Sequence, residues 1–235
     1  MRVPRPPHPW SVSPQQAIAI QQRLAFRVRQ EPIPARVRLV AGLDAAFSAD
    51  GRVCIAAAVV WDLIQRRVVE RRVATRPLAF PYVPGLLSFR EAPALLAALR
   101  KLRARPDALM CDGHGFAHPR RFGIACHIGL ITALPTVGCA KSRLIGTHVT
   151  PAMRRGSLVA LRDKGQVIGA VLRTQDGIRP VYVSIGHKAD LASAVRLVLA
   201  SACRFRLPEP TRLADRLVAQ MRIGHSRHAV SGRDS

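Results

Sequence analysis

Acidic residues are scarce in this chain. Fourteen Asp and Glu stand against 37 Lys and Arg over 235 residues, a formal net charge of +23. Carboxylates gathered at any one site are therefore drawn from a small pool. Long apolar runs are also missing. The clearest one, Val53 to Trp61, has strand length, far short of the roughly 18–20 residues that cross a bilayer. The opening Met1-Arg-Val-Pro-Arg-Pro-Pro-His-Pro-Trp10 is basic but has no apolar stretch, which argues against a secretory signal or membrane anchor. Cysteine pairing is lacking too. Cys54, Cys111, Cys126, Cys139 and Cys203 are odd in number and show no C-x-x-C spacing. Neither a disulfide framework nor a cysteine-built zinc site is expected, and a reducing, cytoplasmic setting without a membrane fits.

Hydrophobic residues make up 49% of the chain, enough for a real core. The length suits one domain, expected over 15–225 as a monomer, with a loose N-terminal extension over 1–14 and a flexible basic tail over 226–235. The positive charge points to a polyanion, most simply nucleic acid. A general basic bias in an Arg- and Ala-rich composition is the bland alternative.

Three strand-like runs, Val37 to Phe47, Arg52 to Trp61 and Arg66 to Thr75, follow a helix over Ser11 to Arg29. They read as an antiparallel meander. Beyond the proline-rich 77–85 segment, helical patterns over 88–103, 122–134, 190–204 and 209–221 alternate with strands over 107–112, 135–140 and 181–185. A hairpin joins 157–162 to 166–173. The expectation is α/β: a mixed sheet, meander first and then alternating strands and helices, with helices on its faces.

Within that frame a few acids stand out. Asp44 is a lone acid in an apolar run and must pair, bind a cation or face solvent. Asp112 ends a buried strand, where ligands of open α/β sheets gather. Glu91 closes Ser88-Phe-Arg-Glu91, which reads as a capping box. Asp215 has Arg212 and Arg216 as ready helix partners. Together, such hard oxygens suit Mg²⁺ or Mn²⁺ and phosphate chemistry. Asp112-Gly-His-Gly-Phe-Ala-His-Pro-Arg-Arg121 is the densest motif, and Asp112, His114, His118 and His127 leave a zinc site open as an alternative. Lys141 follows a buried strand and either meets a phosphate or lies in solvent. Tyr82, in Pro81-Tyr-Val-Pro84, is either a wedge presented by a stiff loop or a core tyrosine.

Pro81-Tyr-Val-Pro-Gly-Leu-Leu-Ser-Phe-Arg-Glu91, Asp112-Gly-His-Gly-Phe-Ala-His-Pro-Arg-Arg-Phe-Gly123, Pro135-Thr-Val-Gly-Cys-Ala-Lys141 and Arg206-Leu-Pro-Glu-Pro-Thr-Arg-Leu-Ala-Asp215 together resemble the endonuclease V family, the deoxyinosine 3′ endonucleases. The resemblance implies an RNase H-like core. It also implies Mg²⁺-dependent hydrolysis, with Mn²⁺ able to substitute, of the second phosphodiester 3′ to deoxyinosine in DNA, leaving a 3′-hydroxyl and a 5′-phosphate. Inosine-containing RNA is the alternative substrate, and a non-catalytic nucleic-acid-binding module the alternative class. By resemblance, Asp44, Glu91 and Asp112 are the metal ligands. Asp215, Lys141 and His118 complete the catalytic set, Tyr82 is the strand-separating wedge, and Pro84, Gly85, Leu87, Gly113 and Ile124 enclose the flipped base.

Overall fold

The computed structural model describes residues 1–231, with side chains described to residue 223. Eight strands form one sheet. The expected meander is β1 (Leu39–Phe47), β2 (Val53–Asp62) and β3 (Arg67–Pro77), paired antiparallel. β4 (Ala108–Cys111) runs parallel to β1, and β5 (Thr136–Ala140) parallel to β4. β8 (Val181–His187), β7 (Gln166–Leu172) and β6 (Leu158–Asp163) then extend the sheet antiparallel. The order is β3-β2-β1-β4-β5-β8-β7-β6.

Helices cover both faces, and strand periodicity explains why. Successive side chains of a strand point to opposite faces. Cys54, Ala56, Ala58 and Val60 of β2 pack beneath α2 (Leu87–Arg100), together with α3 (Ile124–Thr132). Ile55, Ala57 and Val59 meet Ala214 and Val218 of α5 (Glu209–Ser231) on the other face. That face is continued by α4 (Leu191–Ser201), whose Ala194, Val195 and Val198 pack with Val40, Met110 and Val137. A strand buried on both sides reads as an unbroken apolar run, as β2 does. Among the described residues no helix is long and apolar enough to cross a membrane.

Three local expectations are corrected. The capping box falls elsewhere. α2 starts at Leu87 with Leu86 as its cap and no side-chain cap bond, so Ser88 lies inside the helix. The box forms instead at α1 (Pro14–Ala25), where Ser13 and Gln16 bond reciprocally. The C-terminal tail is partly helix, because α5 continues to Ser231; residues 232–235 lie outside the described residues.

The N-terminal segment, expected to be loose, is packed. His8 is buried, and its ring lies against Trp10, Phe89 and His127. The polar bonds here fix their own direction. Pro9 O can only accept, so His8 Nδ1 donates to it at 2.8 Å. His8 Nε2 is then an acceptor, and His127 Nε2–H donates to it at 2.7 Å. His127 Nδ1 accepts from the Ser88 hydroxyl at 3.0 Å. Burial lowers the pKa of both rings, His127 well below the usual value.

Candidate functional site

The carboxyl ends of parallel β1, β4 and β5 open side by side. Asp44 lies near the end of β1. Asp112 follows β4, with its N–H bonded to Leu43 O at 2.9 Å, and Lys141 follows β5. Strand alternation places Asp44 in phase with Val40, and Asp112 in phase with Met110, on the face that α4 and α5 cover. α5 brings Asp215 to that face. Its approach is close: a Cβ on Gly42 would lie 2.0 Å from the Pro210 carbonyl carbon, so only glycine fits at 42.

One carboxylate oxygen from each of Asp44, Asp112 and Asp215 lies within 4.8 Å of the others, the one such acidic cluster among the described residues. Lys141 Nζ bridges two of them, 2.7 Å from Asp112 Oδ2 and 2.8 Å from Asp215 Oδ1. Asp215 thus pairs with Lys141, whereas Arg212 bonds Glu209. Glu91, on α2, is not among the three clustered oxygens, yet it stands near enough to Asp44 and Asp112 for their charges to act on it.

Crowding and burial act together on these acids. Burial, then Asp112 and Asp215, push Asp44 up to about 7. Burial, then Asp44 and Asp112, hold Glu91 well above the carboxylate range. Burial also raises Asp112, even with Lys141 opposing it. Burial pulls Lys141 down, but its bonds to Asp112 and Asp215 outweigh that and raise it. Desolvated acids that repel one another are stabilised by a cation. Three hard oxygens brought together in this way fit Mg²⁺ or Mn²⁺ by chemistry.

Beside the cluster lies a cavity of about 190 Å³. Its walls include Tyr82, Pro84, Gly85, Leu87, Gly113 and Ile124, the whole group expected around a base. Tyr82 is 72% exposed, which excludes a core role. The Arg90 guanidinium stands 5.9 Å from its ring and 4.6 Å from that of Phe47.

The histidines are not gathered as a zinc site requires. His114 Nε2–H donates to Ser142 O at 3.0 Å, His118 Nε2–H to Gly85 O at 2.9 Å, and His127 belongs to the His8 chain. Sequence reasoning missed Arg90 and Arg206. Arg206 donates to Lys141 O at 2.6 Å and Pro180 O at 2.8 Å, fixing the turn that carries the lysine. Both stand in the motifs quoted above, but in a chain with 37 Lys and Arg residue type alone gives neither a role.

The sequence profile of the Endonuclease V family matches residues 22–216. An Endonuclease V of Roseiflexus sp. (strain RS-1) is 52% identical over 215 residues, 92% of this chain and 96% of that one. The crystal structure of Endonuclease V from Streptomyces avermitilis superposes with a TM-score of 0.89 at 42% identity, covering 96% of this chain and all of the other. Ciona intestinalis Endonuclease V, bound to a 24mer DNA containing an inosine followed by a ribo-adenosine, shares the fold at a TM-score of 0.77 and 23% identity. That match covers 88% of this chain and 96% of the other. The sheet and its helices are thus an RNase H-like fold.

Proposed function

The chain belongs to the endonuclease V family and is a nuclease, and from that premise we propose that it cuts DNA at deoxyinosine, one nucleotide beyond the lesion on the 3′ side. The products would be a 3′-hydroxyl and a 5′-phosphate. The observation that carries the reading is adjacency. Gly113 walls the cavity, and Asp112, the residue before it, belongs to the carboxylate cluster. A base in the cavity and a backbone phosphate at the acids would be neighbours on one strand.

Asp44, Asp112 and Asp215 would hold a Mg²⁺ ion, with Glu91 behind them. A bound ion supplies Lewis acidity and an activated water. Lys141 places a positive charge where a phosphate oxygen would stand beside Asp112. Tyr82 would fill the gap that a flipped nucleotide leaves, and flipping costs least for a poorly paired base such as hypoxanthine. Backbone groups at Gly85, Leu87, Gly113 and Ile124 would read its edge. An unpaired buried polar group costs about 1–3 kcal/mol, enough to disfavour adenine. The +23 charge supplies salt-sensitive affinity for the backbone without choosing a lesion.

The test is an end-labelled duplex with a single deoxyinosine, incubated with Mg²⁺ and with EDTA, and the cut mapped. A Mg²⁺-dependent cut at the second 3′ linkage is expected; cutting unaffected by EDTA, or scattered along undamaged DNA, would overturn the proposal. A ribonuclease reading draws support from the ribo-adenosine after inosine in the Ciona complex. A matched RNA strand in the same assay decides it, and cleavage of RNA alone would replace DNA as the substrate.

A further inference from the structure

Gln21, on α1, is 1% exposed and bonds three groups. Its Nε2 donates to Gly85 O at 3.0 Å and to Phe122 O at 3.1 Å. Its Oε1 accepts from Arg120 Nε–H. The amide orientation is dictated, since two carbonyls need the NH₂ and a guanidinium needs the oxygen. Gly85 and Phe122 belong to two different segments of the cavity wall: Gly85 follows the Tyr82 loop, and Phe122 precedes Gly123 and Ile124, which line it. One buried side chain therefore ties the two segments together from behind.

Gly85 O is the common anchor. Arg120 Nη2 donates to it at 2.8 Å, His118 Nε2–H at 2.9 Å and Gln21 at 3.0 Å. A carbonyl has two lone pairs, so three donors saturate it. His118 Nδ1 accepts from Arg120 N–H at 3.2 Å, which leaves the other ring nitrogen to donate. Gly85 itself has φ +78, and a Cβ there would meet Arg120 Nη2 at 2.7 Å. The exposed Tyr82 is thus carried on a short loop whose far end is fixed by a dedicated network. None of these groups touches the carboxylate cluster in a hydrogen bond.

We infer that Gln21 and Arg120 are positioning residues that hold the Tyr82 loop and the cavity walls in register, so that they set lesion capture in paired DNA and not the rate of bond cleavage. His118 joins the clamp and need not meet a phosphate. The inference rests on the reading of Tyr82 as wedge and of the cavity as base site.

The test compares wild type with Gln21→Ala, Gln21→Glu and Arg120→Lys on two substrates. One is a deoxyinosine duplex with 2-aminopurine next to the lesion; the other is the same lesion in a single strand, where no wedge is needed. Gln21→Glu retains the acceptor for Arg120 and loses both donors, and Arg120→Lys retains the charge and loses the fork. On the duplex, each variant is expected to raise KM about tenfold, to leave kcat within about twofold, and to lose the 2-aminopurine fluorescence rise. On the single strand, which uses the cavity and not the wedge, the rise in KM should shrink to about threefold or less. Equal loss on both substrates, or no loss on the duplex, would overturn the clamp. Melting temperatures of the variants identify a folding defect, and where Gln21→Ala fails to fold the two conservative variants decide. Wild type that neither cuts the duplex nor raises the fluorescence would overturn the base-site reading itself.

Discussion

The Nε2 atoms of His8 and His127 lie 2.7 Å apart, and only one of them can carry a hydrogen. Protonating His8 puts two N–H groups face to face and breaks the bond, and protonating His127 makes its Nδ1 a donor where it accepts from Ser88. The folded-state pKa of His127 is held below the ordinary value by burial. As pH falls, the unfolded chain therefore binds protons first, and stability present above about pH 6.5 is lost toward the folded value. Thermal melts between pH 8 and pH 5 should show a steeper loss in wild type than in His8→Phe. The same variant should be less stable at pH 8 by about 1–3 kcal/mol, since it leaves the His127 N–H unpaired. Parallel pH slopes in the two proteins would contradict the pairing.

Asp112→Ala is expected to abolish cleavage, by at least about a thousandfold, while inosine DNA still binds. Gel shift and cleavage on one substrate measure both. A variant that cuts at near wild-type rate would remove Asp112 from the catalytic set.

Asp44→Asn should trade function for stability. The buried carboxylate, pushed up to about 7, is strained when ionised beside Asp112 and Asp215. Neutralising it at pH 8 without added metal should raise the melting temperature, by about 2–4 °C for each kcal/mol relieved in a chain of this size. Cleavage should be lost. Added Mg²⁺ should stabilise wild type and leave Asp44→Asn nearly unchanged. Equal Mg²⁺ shifts in both proteins would place the ion elsewhere.

Tyr82→Ala should weaken binding to a deoxyinosine duplex more than binding to undamaged DNA, since a ring on a 72% exposed residue acts where a base has left the stack. Stacking of a base on an aromatic is worth about 1–3 kcal/mol, so a loss of about five- to hundredfold is expected. Fluorescence anisotropy on matched duplexes measures it, and the wedge role fails if both duplexes lose equally.

How much of this was legible beforehand depends on where the information lies. Asp44 announced itself because an acid in an apolar strand has few uses, and the meander followed from period-two runs and the Asp50-Gly51 turn. Ser88-Phe-Arg-Glu91 misled because a local S-x-x-E pattern does not reveal where the first helical turn begins. That Asp215 lies closest to Asp44 and Asp112 was set by which sheet face α5 covers, a tertiary fact. Gln21 meets Arg120 and His8 meets His127 across about a hundred residues or more, a separation at which no spacing rule operates. The burial of His8 and the packing of Trp10 beside it were hidden for the same reason.

The three clustered acids have a temporal order. Asp44 lies in β1 and Asp112 directly after β4, while Asp215 arrives on α5, after all eight strands in chain order. A chain growing from its N-terminus can pair β1 with β4 well before it holds the third carboxylate. The three-acid cluster is thus completed at the last docking step, through the narrow passage that Gly42 leaves for Pro210. A ribosome-bound chain halted short of α5 would carry the charge to cling to nucleic acid with only two of the three clustered acids in place.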